Sequence, residues 1–285
     1  MPVSAQRFDS RQSMKDKRFE VFHYRDKKMD HVGIHHHDFF EVYFFLSGRV
    51  SFKVEGHTYH LEPGDLLLIN PQELHQPDIG ADTPYERIVL WVDRTYLAGL
   101  CSASGANLAA CFDNEAAGHT NLVRPNKLRR AALSQLLDRM VREYYSDETG
   151  SFAYAQGLLI QFLVEINRLA MASGPAEKRE EPDLVTQVLA YIGAHFQENI
   201  TLETLATEFY VSKYHLSHAF SHRVGTSIYR YVIFRRLLHA RELMIAGQAP
   251  GEVYQSCGFG DYANFYRAFK GEYGISPREF AAGIQ

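Results

Sequence analysis

Two groups of residues in this chain could do chemistry, and they lie far apart along it. In the first, His35-x-His37-x-x-x-Glu41 is followed after six residues by Gly48, and Gly64 stands eleven residues before His75. Imidazoles at i and i+2 of one strand point to the same side. His35 and His37 can therefore converge with Glu41 and His75. Three imidazoles and one carboxylate suit a first-row divalent metal. The same groups, with Tyr43 on the side-chain parity of Glu41, equally suit hydrogen bonds to the hydroxyls of a small ligand. Both chemistries stay open at this point. His36 has the opposite parity and is expected in solvent.

The second group is electrostatic. Residues 209–241 contain no Asp or Glu, yet carry Lys213, Arg223, Arg230, Arg235, Arg236 and Arg241, with His215, His218, His222 and His239 among them. Six fixed positive charges in 33 residues without one negative charge make a local footprint for phosphate. Taken alone, such a run is equally a solvated basic face. The whole-chain balance points the other way: 30 Lys+Arg against 34 Asp+Glu give −4, which argues against a nucleic-acid partner. Residues 183–285 hold nine bases and nine acids, so the excess acid lies before them.

The elements that must position these groups follow from patterning. A chain of 285 residues, 46% hydrophobic and 13% aromatic, predicts about two domains with packed cores. Residues 1–18 are charged and poor in apolar side chains and are expected as a flexible tail. Over 19–123, short aromatic and β-branched runs alternate with turn signals. Phe39–Leu46, Val50–Val54, Thr58–Leu61, Leu66–Ile69 and Arg87–Val92 are predicted strands of an antiparallel barrel or sandwich. Within 124–172 the period becomes helical. Leu128, Ala132, Leu136, Leu137, Met140, Val141 and Tyr144, then Tyr154, Leu158, Leu159, Phe162, Leu163, Ile166 and Leu169, predict two helices in a hairpin. That hairpin could pair two protomers or pack within its own chain. Residues 173–183 (SGPAEKREEPD) are expected as a linker.

From 184 onward every element reads as helix, over 184–197, 202–209, 213–224, 227–246, 250–257, 262–273 and 277–282. Thr201, Ser212 and Asp261 are the expected N-caps, and Gly225, Gly247 and Gly274 the stops. The pairs 202–209/213–224 and 250–257/262–273 each have the form of a helix-turn-helix. Ser212-x-x-x-Leu216-x-x-x-Phe220 recurs as Asp261-x-x-x-Phe265-x-x-x-Phe269, 49 residues on. Three cysteines without a CxxC pair, no apolar N-terminal run and no apolar stretch of spanning length predict a cytoplasmic protein with no membrane partner.

Residues 184–281 resemble the DNA-binding domain of the AraC/XylS family of bacterial transcription regulators. The resemblance is most specific in Gly258-Phe259-Gly260-Asp261-Tyr262-Ala263-Asn264-Phe265-Tyr266-Arg267-Ala268-Phe269-Lys270 and in Tyr273-Gly274-Ile275-Ser276-Pro277-Arg278-Glu279-Phe280. It implies two helix-turn-helix motifs joined by one long helix, each entering the major groove of double-stranded promoter DNA. By position, base edges would meet Lys213, Tyr214, Ser217 and His218 in the first motif. In the second they would meet Tyr262, Ala263, Asn264 and Arg267, with Asn suited to adenine and Arg to guanine. His222, Arg223, Arg230 and Lys270 would hold phosphates. His218 and His222 stand where the family often has Arg or Lys.

The His/Glu spacing resembles the cupin β-barrel motifs, although Pro71 is displaced by one position and an inner Gly is missing. Together these resemblances imply an α+β protein: a cupin-like antiparallel β-barrel, a two-helix dimerisation element and an all-α domain with two helix-turn-helix motifs. They imply a regulator, not an enzyme. A small-molecule effector, a sugar or related metabolite, would bind at His35, His37, Glu41, Tyr43 and His75, with a divalent metal as a possible occupant of His35, His37, Glu41 and His75. A homodimer and RNA polymerase are the implied protein partners. Two rival readings remain at this level: a metal-dependent cupin enzyme with a helical appendage, and a dimeric DNA binder that answers to no effector.

Overall fold

The computed structural model describes residues 13–27, 32–71, 73–80, 84–114, 119–172 and 183–283. Most of the expected tail (1–12) and nearly all of the expected linker (173–182) lie outside the described residues. The chain divides into two units, Met1–Arg179 and Glu180–Gln285.

Among its described residues the first unit has eight strands and three α-helices: β1 (Phe19–Asp26), β2 (Phe39–Ser47), β3 (Val50–Val54), β4 (His57–His60), β5 (Leu66–Ile69), β6 (His75–Ile79), β7 (Tyr85–Asp93), α1 (Arg94–Ser104), β8 (Leu122–Val123), α2 (Lys127–Tyr144) and α3 (Ser151–Ala172). One sheet has the order β1-β7-β2-β5-β8 and the other β4-β3-β6. All pairings are antiparallel. Among the described residues, the ladder between the sheets is reduced to a bridge, in which His35 and His75 exchange N–H···O bonds of 3.1 and 2.9 Å. The cupin-like α+β architecture is therefore present as two facing sheets.

The larger sheet is apolar on both faces, for two reasons. Its outer face, with Val42, Phe44, Leu66, Leu68, Ile88, Leu90 and Val92, is covered by α2 and α3. Its inner face, with Tyr43, Phe45, Leu67, Ile69, Val89 and Trp91, meets Phe52 and Val54 of the smaller sheet. Burial on both faces erases the alternation that marks a half-buried strand, which is why β5 reads as an unbroken LLLI run.

The helical hairpin turns its apolar stripe inward. Leu133, Leu136, Leu137, Met140 and Val141 of α2 and Leu158, Leu159, Phe162, Leu163 and Ile166 of α3 join the outer-face core. Leu128, expected on that stripe, is instead 80% exposed, and Ala132 is exposed as well. Buried Asn167 fastens α3 to a short 3-10 turn (Ala110–Phe112), accepting from Cys111 N at 2.8 Å and donating to Leu108 O at 2.8 Å. Residues 13–18 are tied down rather than loose: the Arg18 guanidinium lies 3.7 Å over the Phe152 ring and also bonds Asp16. Strands β1 and β6 and helix α1 escaped the sequence reading. In β6 (HQPDI), Pro77 and Asp78 are weak strand formers.

The second unit is helical: α4 (Leu184–His195), α5 (Leu202–Glu208), α6 (Lys213–Val224), α7 (Ile228–Ile245), α8 (Pro250–Ser256), α9 (Tyr262–Tyr273) and α10 (Pro277–Ala282). Thr201, Ser212 and Asp261 cap α5, α6 and α9, while Gly225 and Gly274 stop α6 and α9 with left-handed φ of 83° and 74°. Pro250 occupies the first turn of α8, where its missing N–H is not needed.

Candidate functional site

The 49-residue repeat extends beyond the two recognition-type helices. Ser212 and Asp261 cap α6 and α9, Gly225 and Gly274 end them, and Ser227 and Ser276 cap the following helices α7 and α10. The two copies differ in the turn that enters the second helix. The left-handed residue is Tyr210 in the first (φ 54°) and Gly258 in the second (φ 82°), so the second turn has one residue more before its cap.

Leu216, Phe220 and Val224 of α6 and Phe265 and Phe269 of α9 are buried. The opposite faces carry the residues expected to read bases: Lys213, Tyr214 and His218 on α6 and Tyr262, Ala263, Asn264 and Arg267 on α9 are exposed, and Ser217 is half-buried. Tyr214, His218 and His222 stack in a row along α6, with ring centroids 6.1 and 6.5 Å apart. On α9, Asp261 Oδ1 accepts from Asn264 N at 2.7 Å and Oδ2 from Asn264 Nδ2 at 2.6 Å, and Arg267 donates to Asn264 Oδ1.

The cations of the acid-free run are not all available. Arg236 donates to Phe196 O and Glu198 O, each at 2.7 Å. Arg241 is buried against Tyr273 and Phe280, 5.0 and 5.2 Å from their centroids. Lys213 pairs with Glu203 at 3.2 Å, and Arg223 pairs with Asp183, the N-cap of α4. Arg223, placed from sequence among the phosphate contacts, is thus engaged at the start of α4. Arg230 and Lys270 are exposed. A count of charges finds the run, but the partners come from acids and carbonyls outside it.

The same contacts set the second motif against the first. Arg236 of α7 grips the residues after α4. Gly258 packs so close to the same segment that a Cβ there would lie 2.5 Å from Gln197 O.

In the first unit the inner faces of the sheets collect polar groups. His37 Nε2 lies 2.8 Å from Glu41 Oε2, and Trp91 Nε1 donates to the same oxygen at 3.1 Å. His75 is 4.8 Å from His37 between ring centroids and 4.2 Å from His35. Ligand atoms of His37, Glu41 and His75 lie within 4.8 Å of one another, all three residues being buried. His35 is not part of that trio, and its Nδ1 is held by Gly33 O at 2.9 Å. The two histidines do not share a strand: His35 forms the bridge and His37 precedes β2. His36 is half-buried rather than solvent-facing.

Burial holds the His75 imidazole well below its ordinary pKa, and the neighbouring His35 and His37 push the same way; burial also lowers His35. Both rings are therefore neutral near pH 7. His75 Nδ1 is occupied by Glu73 O at 3.0 Å, whereas among the described residues its buried Nε2 has no partner, and neither has the buried Tyr43 hydroxyl. Phe52 lies between these two, 5.0 Å from Tyr43 and 6.2 Å from His75 by ring centroid.

Several inner-wall residues were missed from sequence. Trp91 carries the indole on Glu41. Arg87 is buried, ion-paired with Asp26 and set over Tyr85 and Tyr24 at 4.3 and 4.8 Å. Glu73 is buried in the loop before β6, where it accepts from Asn70 N (2.7 Å) and Asn121 Nδ2 (2.9 Å); Tyr59 of the other sheet donates to Asn121 Oδ1 at 3.1 Å. The period-2 parity of β7 was the available signal, since Tyr85, Arg87, Val89 and Trp91 share one face.

Comparison with known proteins matches these two units in turn. Residues 19–163 match the model of the AraC-like ligand binding domain, and residues 205–283 match that of a helix-turn-helix domain. The curated relatives include the HTH-type transcriptional activator RhaS of Enterobacter sp. (strain 638), 25% identical over 257 residues and covering 87% of each chain. RhaS of Salmonella arizonae is 26% identical over 251 residues with the same coverage. Among solved structures, ToxT of Vibrio cholerae aligns over 93% of this chain and 98% of its own at 14% identity, with a TM-score of 0.40. The ligand-binding match alone spans just over half of the chain, and with the helix-turn-helix match behind it the chain belongs to the AraC family of DNA-binding transcription regulators.

Proposed function

We propose that this regulator reads promoter DNA with α6 and α9 in successive major-groove segments, under the control of a small molecule held between its two sheets. The observation that carries the DNA reading is the repeat: two capped helices, 49 residues apart, each with a buried aromatic stripe and an exposed polar face. Lys213, Tyr214, Ser217 and His218, then Tyr262, Ala263 and Arg267, face base edges. His222, Arg230 and Lys270 hold phosphates, joined by Arg223 once phosphate displaces Asp183.

The effector reading rests on two buried atoms of the inner faces, Tyr43 Oη and His75 Nε2, that have no hydrogen-bond partner among the described residues. An unmet buried polar atom costs about 1–3 kcal/mol. A ligand bearing hydroxyls relieves both, and the aromatic wall of Tyr43, Phe52, Tyr85 and Trp91 offers flat apolar surface to a sugar or related metabolite. A second reading is favoured by the trio His37, Glu41 and His75: two imidazoles, a carboxylate and a His75 ring oriented by a carbonyl suit a divalent metal. Metal analysis of untagged protein tests it, and less than stoichiometric Zn, Fe, Mn or Ni excludes it.

The hairpin supplies the homodimer contact. Its apolar stripe is used internally, but Leu128 and Met171 are 80% and 81% exposed, and Arg129–Glu165 pairing across the hairpin puts both near the same end. The protein acts in the cytoplasm, has no catalytic role and contacts RNA polymerase; it does so as an activator, the role by which the RhaS relatives are named.

The chain's one tryptophan provides the test. Trp91 bonds Glu41 in the proposed pocket, so an effector that occupies it changes Trp91 emission. A compound that shifts emission should also change affinity for duplexes selected by the full chain. Ligands that shift one without the other refute the link.

A further inference from the structure

The two recognition-type helices hold their reading residues by different means, and the second uses a relay. Position by position, Ser212, His215 and His218 of the first motif correspond to Asp261, Asn264 and Arg267 of the second. His218 is steadied by stacking between Tyr214 and His222. Arg267 is steadied by hydrogen bonds. Asp261 uses one oxygen on the Asn264 backbone N–H (2.7 Å) and the other on the Asn264 side-chain Nδ2 (2.6 Å), which fixes the amide's orientation, and the amide oxygen then receives Arg267. In the first motif Ser212 has a single side-chain oxygen, engaged with His215 N at 3.2 Å, and cannot do both jobs.

We propose that Asn264 is a positioning residue acting through Arg267, and that Asp261 sets the specificity of the second motif by orienting Asn264. This rests on the reading that α9 faces bases through Arg267. An Asn that reads adenine presents one donor and one acceptor to the base. Here one side-chain N–H and the amide oxygen are already directed along the helix surface. A guanidinium has five donors. With one given to Asn264, Arg267 keeps enough for a bidentate contact with guanine, and the long side chain is confined to fewer rotamers before DNA arrives.

The relay assigns one base pair to three residues, and selection from a randomised duplex library by the full-length chain tests it. Arg267→Ala should lower the preference at one base pair by about tenfold. Asn264→Ala should weaken preference at that same pair, by about fivefold, and the double variant should match Arg267→Ala alone. Asp261→Ser keeps a capping hydroxyl, as Ser212 does, but removes the second oxygen. It should weaken the same pair while thermal unfolding and helix content stay as in the parent.

Loss at a different pair for Asn264→Ala, additive with Arg267→Ala, would show that Asn264 reads its own base and would overturn the relay alone. Unchanged preference in Arg267→Ala would overturn the reading of α9 on which the relay rests. Equal weakening at every position in Asp261→Ser would show a structural cap only, and would also overturn the relay.

Discussion

Gly258→Ala isolates the joint between the two helix-turn-helix motifs. Gly258 has φ +82°, a conformation that costs a non-glycine residue about 1–2 kcal/mol. Its added Cβ would lie 2.5 Å from Gln197 O and 2.9 Å from Gln197 C and Cα. These are backbone atoms that cannot rotate away, so the segment after α4 must move. Forced overpacking of this kind costs a further 1–3 kcal/mol, roughly. The expected loss is therefore about 3 kcal/mol. Gly274→Ala is the control, because Gly274 has φ +74° but nothing within 4 Å of the added Cβ, and it should lose only about 1 kcal/mol.

Urea unfolding followed by helical circular dichroism reports mainly on the all-α second unit and the hairpin, while Trp91 fluorescence reports on the first unit alone. Gly258→Ala should lower the helical transition and leave the Trp91 midpoint in place. It should also weaken binding to a two-segment DNA site more than binding to a one-segment site. Equal losses for Gly258→Ala and Gly274→Ala would refute the close approach as the reason for glycine. A shifted Trp91 midpoint would refute its confinement to the second unit.

Glu73 predicts a pH dependence. Burial raises its carboxyl to about 7, so its contribution is complete below the unfolded value near 4.5 and lost as pH rises to 7; that is about 3 kcal/mol, absent in Glu73→Gln. The buried His75 and His35 titrate alike in both proteins, so the stability of the parent relative to the variant should fall between pH 5 and 8, and parallel curves would refute this. Arg236→Ala strips donors from Phe196 O and Glu198 O and should cost the second unit about 2 kcal/mol in urea unfolding. Tyr210, 96% exposed in a left-handed turn, should be replaceable by Gly with a gain of up to about 1 kcal/mol by the same measurement. With Arg230, Lys270 and, once Asp183 is displaced, Arg223 as the clamps, the slope of log affinity against log salt should be near −3 per bound chain, roughly −0.9 each, rather than the roughly −5 that all six cations of the acid-free run would give.

The second unit was legible almost residue by residue, because its helices carry their own punctuation. Ser212, Asp261, Gly225 and Gly274 act through local backbone hydrogen bonds, and those are written in short stretches of sequence. The first unit was less so. The strands missed were β1, β6 and β8: β1 is buried on both faces along its first four residues, and β6 carries Pro77 and Asp78. The hairpin's helical period located α2 but misplaced Leu128 and Ala132, which are exposed at the start of the helix. Glu73 could not be recognised as interior, because its partner Asn121 is supplied only by the fold; for Arg87 the parity of β7 was a signal, but its partner Asp26 was not. Of the four proposed ligands, His35 fell outside the trio: its ring packs against His75 at 4.2 Å, but its Nδ1 is turned to Gly33 O.

The same logic explains how a domain of zero net charge can read DNA. Arg236 and Arg241 look like phosphate clamps in the sequence, yet one binds the carbonyls after α4 and the other stacks on Tyr273 and Phe280. Lys213 and Arg223 are held in ion pairs that DNA must first displace. What these cations supply instead is geometry. Arg236 and Gly258 fix the end of α4 against α7 and the second motif, so once one motif is seated the other meets its groove at high effective concentration. Two modest sets of base contacts can then act as one strong reader without a large basic surface. Non-specific binding, which depends on fixed charge, stays weak by the same arrangement. On the proposed reading, the discrimination between right and wrong sites resides in the rigidity of α7 and in the few side chains, Arg267 foremost, assigned to base edges.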